Sequence, residues 1–524
     1  MTLELKTIAP SELHAEMLRL KTERKMDFLV NLIGMDWGEE GLGVIYMLES
    51  TETGETVNLK TITDDRQNPY IPTVSDLWQI ANIYEREVYD FFGIIFLNHP
   101  DMRRIFLRED WVGYPLRKDD RTELLNKLRM TDVPLSDTTK EYFLTPDGKI
   151  AEKTNTVWKG DEYVVNVGPQ HPSTHGVLHM RASLDGEVVK KVGLVLGYIH
   201  RGVEKISENL TYPQLLALTD RLDYFSAMQN RHALCMCIEK ALEMEVSPRV
   251  QYIRTIMDEL QRVASHLVYY ACMAMDTGAL TAFFYTFRER EEICKIFEDN
   301  FGGRVIQNYN TIGGVMYDIQ PDFVEEVKKV SANIRKRFHE YQDIFTGNVI
   351  AQNRMVGVGT ISREDAISLG TTGPVGRASG WNNDVRRRHP YALYDKVEFK
   401  DIIRTEGDTN ARHWNRMEEI LESLNIIDQL IDNIPAGEYQ AKRKPIIKLP
   451  EGSFYQAVES SRGELGVFIE SKGDKTPYRV HYRSSSLPLA NAMDTACRGQ
   501  KFADLIAIGA SMDFVIPDID RYKE

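Results

Sequence analysis

Cysteine is scarce in this 524-residue chain, and the five present, Cys235, Cys237, Cys272, Cys294 and Cys497, form no CxxC. An odd count without such pairs points to reduced thiols in a cytosolic compartment, not a disulfide framework. It also lacks the paired thiolates that a zinc ribbon or an iron–sulfur cluster needs. Any redox metal used in its chemistry is therefore expected on another chain. Long apolar runs are missing as well: the longest, Val263 to Met275, already contains Ser265 and His266, whereas a membrane span takes roughly twenty mainly apolar residues. The opening MTLELKTIAP has no basic stretch followed by an apolar core, so no signal peptide is expected. Positive charge is in deficit, 64 Lys and Arg against 78 Asp and Glu for a net −14, which speaks against nucleic-acid binding. Glycine pairs occur at Gly302-Gly303 and Gly313-Gly314, but no GxxxxGK[ST] or strand–GxGxxG–helix follows from them, so no nucleotide site is supported.

What is present is ordinary globular composition, 42% hydrophobic and 27% charged, over about three domains' worth of chain. The fold class expected is α+β in two domains: a small α/β unit at residues 1–120, a linker at 121–156, and a larger, mainly helical unit with β hairpins at 157–524. In the first unit, Leu42–Leu48 and Thr56–Ile62 flank a turn as a hairpin. A helix opened by Ser75 or Asp76 carries Leu77, Ala81, Tyr84 and Val88 and ends at Gly93. In the second unit, Tyr163–Val167, Gly176–Leu184 and Val188–Leu196 read as strands. One helix from Pro213 is expected to run through Leu222 and Phe225 towards Met244. Another has Ser247 as N-cap, Pro248 at its first position and apolar residues at helical spacing from Val250 to Leu267, stopped by Thr277-Gly278. Further helices are expected at Phe323–Phe345 and Met417–Ile434, and a last hairpin at Gly466–Glu470 and Tyr478–Tyr482.

The sharpest local feature is Gly168-Pro-Gln-His-Pro-Ser-Thr-His-Gly176. His171 and His175 stand four apart, but Pro172 between them argues against a helical metal pair. What remains is a loop in which His175 could donate a hydrogen bond and a proton near neutral pH, or in which both imidazoles only brace a turn. Tyr224, in Asp220-Arg-Leu-Asp-Tyr224, could donate to a carbonyl oxygen or be a core tyrosine with a wet hydroxyl. Asp276 closes an apolar helix at the unfavourable end of the helix dipole, which suits a proton-holding carboxyl and equally a residue opening a turn. Arg386-Arg-Arg-His389 and Lys442-Arg-Lys444 are expected on a solvated face or a docking surface.

Longer motifs add a family. GlyProGlnHisProSerThrHisGly (168–176), IleHisArgGlyValGluLys (199–205), ArgLeuAspTyr (221–224), AspGluLeuGlnArgValAlaSerHisLeu (258–267) and SerArgGlyGluLeuGly (461–466) resemble the D subunit of proton-pumping NADH:quinone oxidoreductase, respiratory complex I. TyrGluArgGluValTyrAspPhePheGlyIle (84–94), AsnHisProAspMetArgArgIle (98–105) and TyrProLeuArgLysAsp (114–119) resemble the C subunit. Their C-then-D order resembles the fused form of some bacteria. The resemblance implies a hydrogenase large-subunit-like domain without the metal and without its two Cys pairs, so hydrogenase activity is excluded. It implies that a quinone, menaquinone or ubiquinone, is reduced as substrate in the vacated cavity, beside a [4Fe-4S] cluster held by a neighbouring subunit. His175 and Tyr224 would then hydrogen-bond the two quinone carbonyls, Asp276 would stand behind His175, and His171 would be the other loop histidine. Arg201 and Arg221 would lie near the partner's cluster. Implied partners are the terminal-cluster subunit (B), the ferredoxin-like subunit (I) and the membrane subunit (H), with the chain peripheral on the cytoplasmic side of the bacterial inner membrane. A ferredoxin-fed relative and a purely structural connector stand as the alternatives.

Two departures are informative. Many members carry a histidine two residues after the Arg that aligns with Arg304, where this chain has Ile306. An isoleucine cannot protonate, which implies a lower, nearly pH-independent cluster potential. The chain also runs on through Tyr522-Lys-Glu524 past the usual Asp-Arg ending.

Overall fold

The computed structural model describes residues 2–122, 135–160, 162–171 and 176–520. The molecule mixes helices with several small sheets. The N-terminal sheet has four strands in the order Lys6–Ile8, Thr56–Thr63, Leu42–Glu49, Phe28–Asp36. The expected hairpin is there, in register from Leu42 opposite Thr63 to Glu49 opposite Thr56. Phe28–Asp36 and Leu42–Glu49 are buried along their whole length, as happens when both faces of a sheet are covered. The helix Ala81–Phe92 packs so closely on Phe28–Asp36 that a Cβ at Gly34 would sit 2.7 Å from the Phe92 ring.

Phe28–Asp36 is an edge strand whose outer carbonyls need partners. The distant C-terminal strand Arg479–Arg483 supplies them. Arg483 Nε donates to the Val30 carbonyl at 2.6 Å and Arg479 Nε to that of Gly34 at 3.3 Å, and the Tyr478 hydroxyl donates to that of Asp36 at 2.8 Å. The first 120 residues therefore share an apolar core with later segments: one continuous buried cluster contains Phe28, Trp78 and Phe92 together with Leu178, Ile361, Trp381, Leu487 and Ile516. A second cluster belongs to the helical part, around Leu234, Leu260, Ile334 and Ile427.

The helix expected from Ser75 starts later, at Ala81, and ends as expected at Gly93 in the left-handed region. The delay has a cause. The fully buried Glu85 carboxyl accepts from the Val74 N–H at 2.7 Å and the Thr73 hydroxyl at 2.5 Å, and so ties the preceding segment into turns. Burial pushes the Glu85 carboxyl up to about 8 against these bonds. A folded value above the unfolded one means that this group's contribution is fully present at low pH and is lost as pH rises through 8. Glu85→Gln, neutral at every pH, is expected to unfold at a higher temperature than wild type near pH 8.5 and to gain nothing near pH 4. Thermal scans of the purified chain at the two pH values check this, and an equal gain at both would refute it.

The segment read as linker carries structure. Thr138–Leu144 and Ile150–Thr156 form an antiparallel hairpin, docked on the N-terminal unit where the Asn98 and Met102 N–H groups donate to the Tyr142 and Lys140 carbonyls at 2.7 and 2.8 Å. Charged and hydroxyl residues mask this strand pattern because much of the hairpin faces solvent. Tyr163–Val167, His179–Asp185 and Val188–Val195 form a three-stranded antiparallel sheet. Pro248–Asp276 is a single 29-residue helix with Ser247 Oγ accepting from Val250. The later helix Phe323–Tyr341 lies where expected, Thr409–Leu430 starts eight residues before the expected Met417, and the expected last hairpin, Gly463–Ser471 with Arg479–Arg483, is joined by a further strand, Gly452–Ser460.

The basic cluster at 386–389 is only in part a solvated face. Arg386 is buried on Asp384 and Glu259, Arg388 pairs with Glu49 and Glu464, and His389 meets Glu49 at 2.9 Å. Neighbouring Asp384 and the distant Glu259, Glu49 and Glu464 turn Arg386 and Arg388 inward, while Arg387 and His389 stay exposed. No described helix is long and apolar enough to cross a membrane.

Candidate functional site

The helix expected to run from Pro213 to Met244 is broken. Tyr212–Thr219 ends, Ala227–Ala241 begins, and Tyr224 sits in the turns between them. Two buried carboxylates hold the break open. Asp220 pairs with Arg231 at 2.7 Å. Asp223 accepts from the Phe225 N–H at 3.0 Å, a local Asx turn, and from Arg462 at 2.9 Å. Asn230 Nδ2 donates to the Asp223 and Thr219 carbonyls, and Gln261 Nε2 to that of Phe225 at 2.8 Å. A helix through this segment would drag both carboxylates from their guanidinium partners. The break presents Tyr224 half-buried, its ring 4.4 Å from that of Phe225.

Asp276 is the last residue of the Pro248–Asp276 helix and is also half-buried. Cys272 lies one turn before it. Burial pushes the Cys272 thiol up to about 12, helped by the charges of Asp513 and Asp276 and opposed by Arg462. Burial likewise pushes the Tyr224 phenol up; Arg462 opposes it, while Asp223, Cys272 and Asp513 add to it. Tyr224 and Asp276 are thus each coupled in charge to one thiol, and Arg462 and Asp513 act on both the phenol and that thiol. A phenol held above its usual range is a proton donor at every physiological pH. Burial also pushes the Cys235, Cys237 and Cys497 thiols up to about 12, an environment that suits protonated core thiols and not thiolate metal ligands.

Of the Gly168–Gly176 segment, His171 is exposed, and His175 lies outside the described residues. Gly176 at the loop's end closes on the C-terminal segment: a Cβ there would meet Ile516 at 2.9 Å, and its φ of +149° suits glycine. Arg221 is half-buried, its guanidinium donating to the Ala217 carbonyl at 2.5 Å. Arg201 lines a cavity of about 620 Å³ between the N-terminal unit and the 197–206 segment, together with Phe91, Phe106, Trp111 and His200. Ile306 is half-buried in the loop after Leu280–Phe301, and the neighbouring Arg304 pairs with Glu291 and Glu298. Tyr522-Lys-Glu524 lies outside the described residues.

Three residues that the motifs alone give no role organise the site. Arg462, 1% exposed, bridges Asp223 to Asp513, which it meets at the carbonyl (2.6 Å) and the carboxylate (3.2 Å). Asp520 accepts from the Gly197 and Ile199 N–H groups at 2.9 and 3.1 Å, and its carbonyl meets His200 Nδ1 at 2.7 Å. Its carboxyl is pushed up to about 6 by burial. The C-terminal segment thus ties together the Tyr224 turn and the Ile199–Gly202 loop. Arg462 stands in a motif visible in the sequence and Asp520 in the Asp-Arg ending, whereas nothing local to Asp513 marks it.

Comparison with known proteins finds relatives over nearly the whole chain. Residues 6–124 match the family described as the 30 Kd subunit of respiratory-chain NADH dehydrogenase, and residues 276–448 and 444–521 that described as its 49 Kd subunit. A Bacteroides fragilis protein, named as the C/D subunit of NADH-quinone oxidoreductase, is 62% identical, covering 99% of this chain and 100% of its own length. An Aquifex aeolicus protein, named as a second C/D subunit of the same oxidoreductase, is 37% identical over 91% of this chain and 88% of its own. A Desulforamulus reducens protein, named as the D subunit of NADH-quinone oxidoreductase, is 44% identical over 69% of this chain and 99% of its own.

Proposed function

Because the chain belongs to the NADH-quinone oxidoreductase C/D subunit family, a set of complex I subunits, we propose that its Tyr224 turn and the end of the Pro248–Asp276 helix form the quinone-reduction site. The observation that carries this reading is the break at residues 220–226, which spends two buried carboxylate–guanidinium pairs on presenting one half-buried phenol. Such cost at one hydroxyl is expected of a functional site.

In this reading Tyr224 and His175 donate to the two carbonyl oxygens of the quinone, menaquinone or ubiquinone. Reduction takes two electrons and two protons, and donors aimed at the oxygens stabilise the incoming charge. Asp276 holds or releases a proton behind His175, and His171 is the second loop imidazole. The [4Fe-4S] cluster of the terminal-cluster subunit (B) supplies the electrons when that partner is docked, with Arg201 and Arg221 on the side facing it. The ferredoxin-like subunit (I) and the membrane subunit (H) are the other partners, and membrane contact on the cytoplasmic face runs through them. Residues 1–120 act as the C-like unit, 121–156 connect, and 157–524 are the D-like, hydrogenase large-subunit-like unit.

A photoreactive azidoquinone tests the site directly. In membranes bearing the assembled complex, labelling is expected on peptides containing Tyr224 or residues 272–276, and excess unlabelled quinone should abolish it. Competed labelling confined to other subunits would overturn the assignment.

A further inference from the structure

The Tyr224 turn carries a charge relation that its own residues do not explain. Between Tyr212–Thr219 and Ala227–Ala241 the backbone makes no regular ladder, so the position of the phenol depends on what holds Asp223. That carboxylate is fully buried. One of its oxygens is used within the turn, towards the Phe225 N–H. The other goes to Arg462, more than two hundred residues away. Arg462 is itself immobilised: Nε and one terminal nitrogen hold Asp513, the other terminal nitrogen holds Asp223 and the Ser265 hydroxyl (3.2 Å), and the guanidinium lies 5.6 Å from the centre of the Phe225 ring.

Each anchor is fixed in turn. Ser265 belongs to the helix that ends in Asp276. Asp513 follows the helix Asp504–Met512 in the left-handed region, φ +58°. The backbone of Arg462 is pinned where Gly373, at φ +74°, packs against it with no room for a Cβ: the added atom would stand 2.4 Å from the Arg462 carbonyl oxygen. One fork of donors therefore sets the distance between the Tyr224 turn, the Asp276 helix and the C-terminal segment. A lysine, a single point donor, can keep the charge but not the three-way geometry.

Resting on the reading of Tyr224 as a quinone donor, we infer that Arg462 is the positioning residue of that donor, acting on quinone reduction through the Asp223 carboxylate and the placement of the Tyr224 hydroxyl. Its guanidinium is also the positive charge that opposes the effect of burial on the phenol. No bond to quinone is assigned to it.

The test is a double-mutant cycle in membranes carrying the assembled complex: Arg462→Gln, Tyr224→Phe and the pair. NADH-to-quinone turnover is normalised to NADH oxidation by a hydrophilic acceptor that bypasses the quinone site. A misplaced donor costs on the order of tenfold to a hundredfold. Arg462→Gln alone should therefore lose about tenfold or more in normalised turnover, and less than about twofold when Tyr224 is already Phe. Arg462→Lys should recover part of the loss. Losses that multiply in the pair would make Arg462 a general structural residue, and an unchanged rate in Arg462→Gln would remove it from the site; either overturns the inference while the quinone site stands. An unchanged rate in Tyr224→Phe alone would fell the quinone reading and this inference with it. Where Arg462→Gln lowers the bypass rate through poor assembly, Arg462→Lys takes its place in the same cycle, with the same non-additivity deciding.

Discussion

Membranes carrying Tyr224→Phe are expected to reduce quinone about a hundredfold more slowly than wild type while oxidising NADH with a hydrophilic acceptor at an unchanged rate. The substitution removes one oxygen. The ring keeps its place against Phe225, and the turn is held by Asp220, Asp223, Asn230 and Gln261 through bonds that do not involve the hydroxyl. What disappears is a proton donor whose pKa burial has pushed up, so that it stays protonated across the working pH range and donates to an oxygen gaining negative charge. One such donor is worth about 2.7 kcal/mol or more when it faces charge in a water-poor site. Because the loss is in the step that follows binding, it should fall on kcat more than on KM. Equal quinone and bypass rates in variant and wild type would instead leave the chain a scaffold that connects other subunits.

The second large effect is on stability. Arg377→Met should prevent the chain from accumulating in a folded state, or lower its thermal midpoint sharply. Arg377 is 1% exposed and holds Glu419 and Glu459 at 2.7 Å each, with Asp384 at 3.6 Å. The same buried network contains Glu259 with Arg262 at 3.2 Å and Arg386 at 3.1 Å, and His266 against Glu419 at 2.9 Å. Counting the groups, four carboxylates face three guanidiniums and one imidazole. Removing one guanidinium takes a partner from three buried acids at once. Breaking a single buried pair costs about 3–5 kcal/mol, against a total stability of about 5–15 kcal/mol for a typical domain. Soluble yield and thermal unfolding of the purified variant measure this, and a wild-type midpoint would contradict it. Methionine fills much of the same volume, so a cavity is not the source of the loss.

The two sites respond differently because they are built differently. At Tyr224 the polar framework is spent on holding a chain segment away from regular structure, and the phenol hydroxyl takes no share in it. At Arg377 the framework is its own purpose: charges from Gly373–Ala378, Thr409–Leu430 and Gly452–Ser460 are locked together, and each depends on all the others.

Periodicity and punctuation in the sequence by themselves determined the elements whose signals are local. Ser247, Pro248 and Thr277-Gly278 delimit a helix whose cap is made by the side chain of residue 247. The hairpin Leu42–Glu49 and Thr56–Thr63 declares itself by two β-rich runs around a turn, and Gly93 ends its helix because only glycine takes φ +69° there at little cost. The long motifs likewise determined the family, since they are contiguous in the chain. The tertiary structure decided whatever depends on a partner far away in sequence. Leu215, Leu218, Leu222 and Phe225 keep helical spacing, yet the helix breaks because Asp223 finds Arg462 across 239 positions. Arg386 and Arg388 look like solvent-facing charge until Glu259, Glu49 and Glu464 are brought to them. The open edge at Phe28–Asp36 acquires its donors from Arg479 and Arg483. In each case a buried charge or carbonyl must be paired, and the identity of its partner is set by the folded path of the chain, which no local pattern contains.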